Sequence, residues 1–277
     1  MSKPAGSAAL PATSSAAATT PAVARPLPGD RPHELTWILT RYALGQLVAD
    51  PAVRAGLSRS HVYQLLQPGE KPLAWATSTP VVDLTATSEL TQAVSRQQLP
   101  SGAGAVLYDP EAWPFTPAYE QRNPVAAADR AKAVAQSHGL LLIAAPALDL
   151  VTVHKGGRGP DWQRFLHLHL IGAMASNVNV IELQAQSLER DAGVYTQFVR
   201  QAVAQARAVD PQVQVFAGLS TNPSGAPVTS GQLVDAIKAT ERMVNGYWLN
   251  IPGRGPRCPT CNTPRPDIGR AALQAVL

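Results

Sequence analysis

Residues 178–219 read VNVIELQAQSLERDAGVYTQFVRQAVAQARAVDPQVQVFAGL. The stretch opens and closes on short apolar runs, Val178–Ala185 and Val213–Leu219, rich in Val, Ile and Leu as strands buried on both faces are. Between them, Val194, Phe198, Val199, Ala202 and Ala206 recur near helical spacing over Val194–Val209. Strand, helix and strand in so short a span is the repeating unit of a parallel sheet.

The unit repeats outward from there. Further runs lie at Leu35–Thr40, His61–Leu66, Pro72–Thr77, Ala105–Tyr108, Leu140–Ala145 and Gly246–Ile251, which makes eight in all. Helix signals fill the gaps. Ser88 can cap a helix toward Gln98, and Val125–Ser137 follows a proline and stops before Gly139. Asp161–Met174 carries Trp162, Phe165, Leu166 and Leu170, and Thr229 or Ser230 can cap Val228–Val244. A last helix spans Ile268–Leu277. Eight strand–helix units over residues 33–277 predict a single (β/α)8 barrel of the α/β class, a fold of about 250 residues. Strand one contains Trp37 and can equally begin a helix; without it the domain is still α/β with a parallel sheet.

Composition agrees and excludes other classes. The chain has 277 residues, 45% of them hydrophobic, enough for one full core and too apolar for wholesale disorder. Two cysteines exclude a disulfide-stapled mini-fold. No apolar run approaches the roughly 20 residues of a membrane span. The net charge of +4, from 23 basic and 19 acidic side chains, is scattered. It describes a mildly basic surface rather than the one-sided footprint of a nucleic-acid binder. Residues 1–32 are rich in Ala, Pro, Ser and Thr and hold no aromatic residue, so we read a disordered tail. That tail lacks the continuous apolar core of a signal peptide. Tails of this composition often follow a leader or lipid anchor, so two localisations stay open: secreted or cell-surface with the leader missing, or cytoplasmic.

In such a barrel the chemistry sits at the C-terminal ends of the strands. Strand four runs into Asp109-Pro110-Glu111, and a period of two puts both carboxylates on one side. Carboxylates held close resist double ionisation, so one can act as an acid. The competing reading has Asp109 capping a turn and Glu111 solvated. Trp113 and Phe115 follow and offer surface for stacking a sugar ring. On strand six Glu182, Gln184 and Gln186 alternate with Leu183 and Ala185; three polar side chains on one face of a buried strand need partners or a cleft. Glu182 is the deepest and is either a satisfied interior group or a second carboxylate. Trp248 and Asn250 share a face of strand eight, Trp248 as a platform or a plug. Strand seven offers Ser220 and Asn222, strand three Trp75, and Asp149 lies beyond strand five.

These residues resemble the chitinase-type barrel glycosidases, including the plant hevamine-like enzymes. There strand four ends in an Asp-x-Glu pair, strand six gives an amide or acid, and strand eight gives a tryptophan. The matching positions are Asp109 and Glu111, Gln184 and Gln186, and Trp248. The resemblance implies that Glu111 is the general acid and that Asp109 positions the substrate's N-acetyl group, which would be the nucleophile. The strand-four motif is degenerate: GAVLYDPE lacks the family's earlier aspartates, and strand six lacks its tyrosine.

The expected function is therefore hydrolysis of a carbohydrate or glycoconjugate. The alternatives are a non-catalytic carbohydrate-binding barrel and a barrel lyase or isomerase using the same carboxylates. The expected partner is a small-molecule or glycan substrate, without nucleic acid, membrane span, cofactor or metal. Cys258-Pro259-Thr260-Cys261 has CxxC spacing, but zinc needs two further ligands and no second pair exists. A disulfide bracing that loop is expected if the protein is exported, and free thiols if it is cytosolic. His167 and His169 are read as structural. The basic loop His154–Gly159 lacks the order of a phosphate loop.

Overall fold

A computed structural model describes residues 35–154 and 157–277. The tail at 1–32, and Lys155 and Gly156 of the basic loop, lie outside the described residues. Eight parallel strands close into a barrel in sequence order: β1 (Thr36–Thr40), β2 (Val62–Leu66), β3 (Ser78–Leu84), β4 (Ala105–Tyr108), β5 (Leu141–Ala144), β6 (Val180–Leu183), β7 (Gln214–Ser220) and β8 (Gly246–Asn250). The barrel closes where Thr36 pairs with Gly246 and Trp37 with Tyr247.

Strand alternation builds two cores. Ile38, Tyr63, Leu65, Val81, Leu107, Ile143, Val180 and Phe216 fill the barrel. Their chain neighbours, among them Trp37, Val82, Val106, Leu142, Ile181 and Tyr247, turn outward under the helices. Away from the C-terminal mouth most strand positions are therefore dry on both faces, which is why the strands read as largely apolar runs. The helices are α1 (Arg41–Leu47), α2 (Pro51–Leu57), α3 (Thr87–Ser95), α4 (Ala118–Arg122), α5 (Pro124–Ser137), α6 (Asp161–His167), α7 (Leu170–Ala175), α8 (Ala192–Val209), α9 (Ser230–Thr240) and α10 (Pro266–Val276). Several are capped as their sequences dictate. Asp191 accepts the Gly193 and Val194 amides at the start of α8, and Thr229 and Gln232 form a capping box on α9.

Three expectations are corrected. Strand three is Ser78–Leu84, not Pro72–Thr77. The apolar residues Leu73 and Trp75 instead pack half-buried on the outer core. Secondly, no helix occupies the connection from β2 to β3. There the Gln64 side chain, on the outer face of β2, donates to the Leu73 carbonyl at 3.2 Å and accepts from its amide at 2.6 Å. That pair of bonds pins an irregular loop where a helix would otherwise cover the strand. Thirdly, the helix read over Asp161–Met174 is broken: His169 sits at φ 52° between α6 and α7. The break re-aims α7 so that Gly172 comes against α8, where a Cβ would lie 3.2 Å from the Gln205 carbonyl. Among the described residues no helix is long and apolar enough to cross a membrane.

Candidate active site

Inward-facing positions change character toward the C-terminal mouth of the barrel. Leu107 on β4 gives way to Asp109, Val81 on β3 to Asp83, and Phe216 on β7 to Ser220. With the loops above them these residues line a cavity of about 840 Å³. Asp109, Glu111, Trp113, Gln184, Gln186, Trp248 and Asn250 all line it, joined by Thr40, Gln67, Asp83, Asp149, Ser220 and Arg257.

The loop after β4 holds Glu111 in place. Thr116, buried, accepts the Glu111 amide at 3.2 Å and the Trp113 indole N–H at 2.9 Å through its Oγ1. Asp149 accepts the Ala112 amide at 3.0 Å. Gln121 reaches back to the Trp113 and Thr116 carbonyls at 2.7 Å each. Trp113 meets Phe115 edge-on, centroids 5.0 Å apart, and Phe115 stands out at the rim. Gln184 bridges strands: its Nε2 donates to Asp109 Oδ1 and, at 2.9 Å, to the Ala145 carbonyl. Trp248 is buried, and its indole N–H has no acceptor among the described residues.

Burial and like charge set the protonation of this group. Burial pushes Asp109 well above the carboxylate range, and the charges of Glu111, Asp83 and Glu182 push the same way against the Arg257 guanidinium. Glu111 is raised to about 7, by burial first and then by Asp149 and Asp83; Gln184 and Arg257 lower it. Asp149 is raised by burial. Asp109 and Glu111 titrate as a pair, and that pair holds a proton near neutral pH.

Three predicted site residues lie elsewhere. Glu182 is fully buried below the cavity floor, and neither carboxylate oxygen has a partner among the described residues. Burial and the Glu111 charge keep it protonated. Trp75 precedes β3, at the opposite end of the barrel, because strand three begins six residues later than expected. Asn222 is buried beside the cavity and spends its side chain on structure, donating to the Pro252 carbonyl at 3.1 Å and accepting from Thr221 at 2.9 Å.

Asp83 was missed with its strand, although Thr79, Val81 and Asp83 keep a period of two along that stretch. Asp149 was seen beyond strand five but not joined to the pair, since nothing local points it at Glu111. Arg257 has no local signal at all; it pairs with Asp83 across 174 residues. Cys258 and Cys261 are joined as a disulfide, Cα atoms 5.3 Å apart, and both line the cavity. Among the described residues no group of His, Cys, Asp and Glu is arranged to hold a metal.

No protein-family model matches the chain. No curated protein matches it either. Among solved structures it is similar to a chitinase from Chromobacterium violaceum, at 8% identity over 88% of this chain and 99% of that one, TM-score 0.46. It is similar to a class V chitinase from Pseudomonas fluorescens Pf-5, at 10% identity over 87% and 99%, TM-score 0.47. A triosephosphate isomerase from Bartonella henselae is similar at 14% identity over 78% and 92%, TM-score 0.39. Glycoside hydrolases thus stand among the similar structures, as the resemblance in the sequence implied, and so does an isomerase. Likenesses this distant say nothing of chemistry, and the barrel rests on its own strand pairings.

Proposed function

We propose that the chain is a glycoside hydrolase-like enzyme acting on a carbohydrate or glycoconjugate, with Glu111 as general acid and Asp109 assisting. The observation that carries this reading is the carboxylate pair at the end of β4, facing one cavity, with Glu111 holding its proton up to about pH 7. A general acid works best when its pKa lies near the working pH. Glu111 would deliver that proton to the glycosidic oxygen as the C–O bond breaks. The positive charge then developing on the sugar ring faces Asp149 across the cavity, and water adding to the ring carbon completes the hydrolysis and returns a proton to Glu111. Trp113 and Trp248 supply apolar walls for the ring faces.

The test is turnover on a glycan panel that includes N-acetylhexosamine and neutral-sugar oligomers. Glu111→Gln is expected to lower kcat by about 10²–10⁴-fold with KM little changed. In the unaltered enzyme, kcat/KM should fall as pH rises through about 7, because the acid loses its proton there. Undiminished turnover by Glu111→Gln rules the assignment out. Binding without turnover assigns a non-catalytic carbohydrate-binding barrel, and absence of glycan binding assigns a lyase or isomerase.

A further inference from the structure

The segment from Pro252 to Arg265 leaves β8 and returns to α10 as a strap over the barrel mouth. It is tied down along its length. The Pro252 carbonyl accepts from Asn222 at 3.1 Å, the Arg254 amide donates to the Asn262 carbonyl at 3.2 Å, and Asn262 Nδ2 donates to the Gly225 carbonyl at 2.7 Å. Gly225, at φ 85°, lies so close beneath the strap that a Cβ there would sit 2.1 Å from the Thr260 carbonyl oxygen. Gly255 and Cys258 form a two-residue bridge, and the Cys258–Cys261 disulfide closes the turn directly after Arg257. A disulfide around so short a loop adds little to global stability; what it constrains is the local path of the chain.

Of the strap's three arginines, Arg265 at its end pairs with Asp267 of α10, and the other two are used differently. Arg254 bonds within the strap, from its Nε to the Pro259 carbonyl at 3.2 Å. Arg257 points across the mouth and donates from Nη1 to Asp83 Oδ2 at 2.8 Å. Gln67, at the end of β2, donates to the same oxygen at 3.0 Å. Asp83 is nine-tenths buried, and its Oδ1 has no partner among the described residues. Asp109 and Glu111, just past β4, and Glu89 of α3 share its charge environment, while Asp149 from the loop after β5 acts in turn on Glu111 and Glu182 of β6 on Asp109. Among the described residues that line the cavity, Arg257 is the one cation.

We propose that Arg257 is a positioning residue of this site: the disulfide-braced strap carries its guanidinium to Asp83, and the ion pair removes that carboxylate's charge from the cluster, leaving Asp109 and Glu111 as the proton-exchanging pair. This rests on Glu111 being the proton donor. Asp83 pushes the proton affinity of both Asp109 and Glu111 up and Arg257 pushes it down, so each opposes the other while they stay paired.

The experiment is a ¹³C-carboxyl NMR titration of Glu111 in the full chain from pH 4 to 9, together with the pH profile of turnover. Arg257→Gln is expected to raise the Glu111 midpoint by about one unit, a tenfold change in proton affinity, because Asp83 is left unpaired. Asp83→Asn lowers it, and the double variant falls back from the raised midpoint of Arg257→Gln. Cys258→Ser/Cys261→Ser, which frees the strap, shifts the midpoint in the same direction as Arg257→Gln. An unmoved midpoint in Arg257→Gln, or a double variant that stays with the single one, overturns the proposal. No shift in the double cysteine variant overturns the part assigned to the disulfide. The titration reads without turnover, so a Glu111→Gln variant that stays active removes the assignment of the donor and leaves this measurement standing.

Discussion

Glu111 and Glu182 are both glutamates at the mouth half of one barrel, and burial gives them different work. Glu111 sits on a loop braced by Thr116 and lines the cavity, so its raised proton affinity is available to a ligand. Glu182 lies inside β6 with no exposure and no partner among the described residues, so its proton is a cost of folding. The sign follows from linkage. A carboxyl whose folded pKa is raised is protonated when folded and ionised when unfolded, so stability is present below the unfolded value of 4.5 and is lost as pH rises. Each pH unit in that window is worth about 1.4 kcal/mol. Glu182→Gln, which cannot ionise, should therefore be more stable than the unaltered protein at pH 7 and equal to it near pH 4. Urea unfolding at the two pH values measures this, and equal differences at both would show that Glu182 does not titrate this way. The alternation of Glu182, Gln184 and Gln186 was legible as a polar face. Their order of depth was legible too; whether Glu182, the deepest, still reaches the cavity was not, because that depends on strand stagger.

At the scale of elements, the strap and strand three are where local signals ran short. Strand three was displaced because Leu73, Trp75 and their neighbours are as apolar as a strand yet pack outside the sheet, held by the Gln64 side chain. The strap's Pro and Gly content announces an irregular loop; its Cys-x-x-Cys pair was legible, its crossing to β3 was not. Gly225, in the loop after β7, lies directly against the strap at Thr260. Gly225→Ala meets a left-handed backbone, which costs about 1–2 kcal/mol by itself, and a carbonyl oxygen where its methyl must go. The expected result is a loss of about 2–3 kcal/mol in thermal or urea unfolding, with the 252–265 segment cut faster by protease. A variant as stable and as resistant as the parent would mean that the strap does not bear on Gly225.

For the whole molecule the decisive seam is between β1 and β8, because it alone converts a sheet into a barrel. Gly246 stands there with Thr36: a Cβ would be 2.1 Å from the Thr36 carbonyl oxygen and 3.1 Å from the Phe216 ring. Gly246→Ala must part the strands or displace both groups, and a loss of more than about 3 kcal/mol is expected, with far-UV circular dichroism showing whether the barrel still forms. Gly45→Ala in α1 is the control, since nothing lies within 4 Å of its Cβ and alanine favours a helix. If both variants unfold alike, the seam is not the tight contact described. By itself the sequence determined the eight apolar runs, the class of fold, most helices and the Asp109–Glu111 pair. Each of these is written in residues a few positions apart, where strand and helix periods act. Only the tertiary structure decided that Asp83 and Asp149 join that pair, that Glu182 lies beneath it, and that Arg257 comes from 174 residues away to meet Asp83. Charge and burial act through space, and the distances that govern them exist only once the barrel has closed.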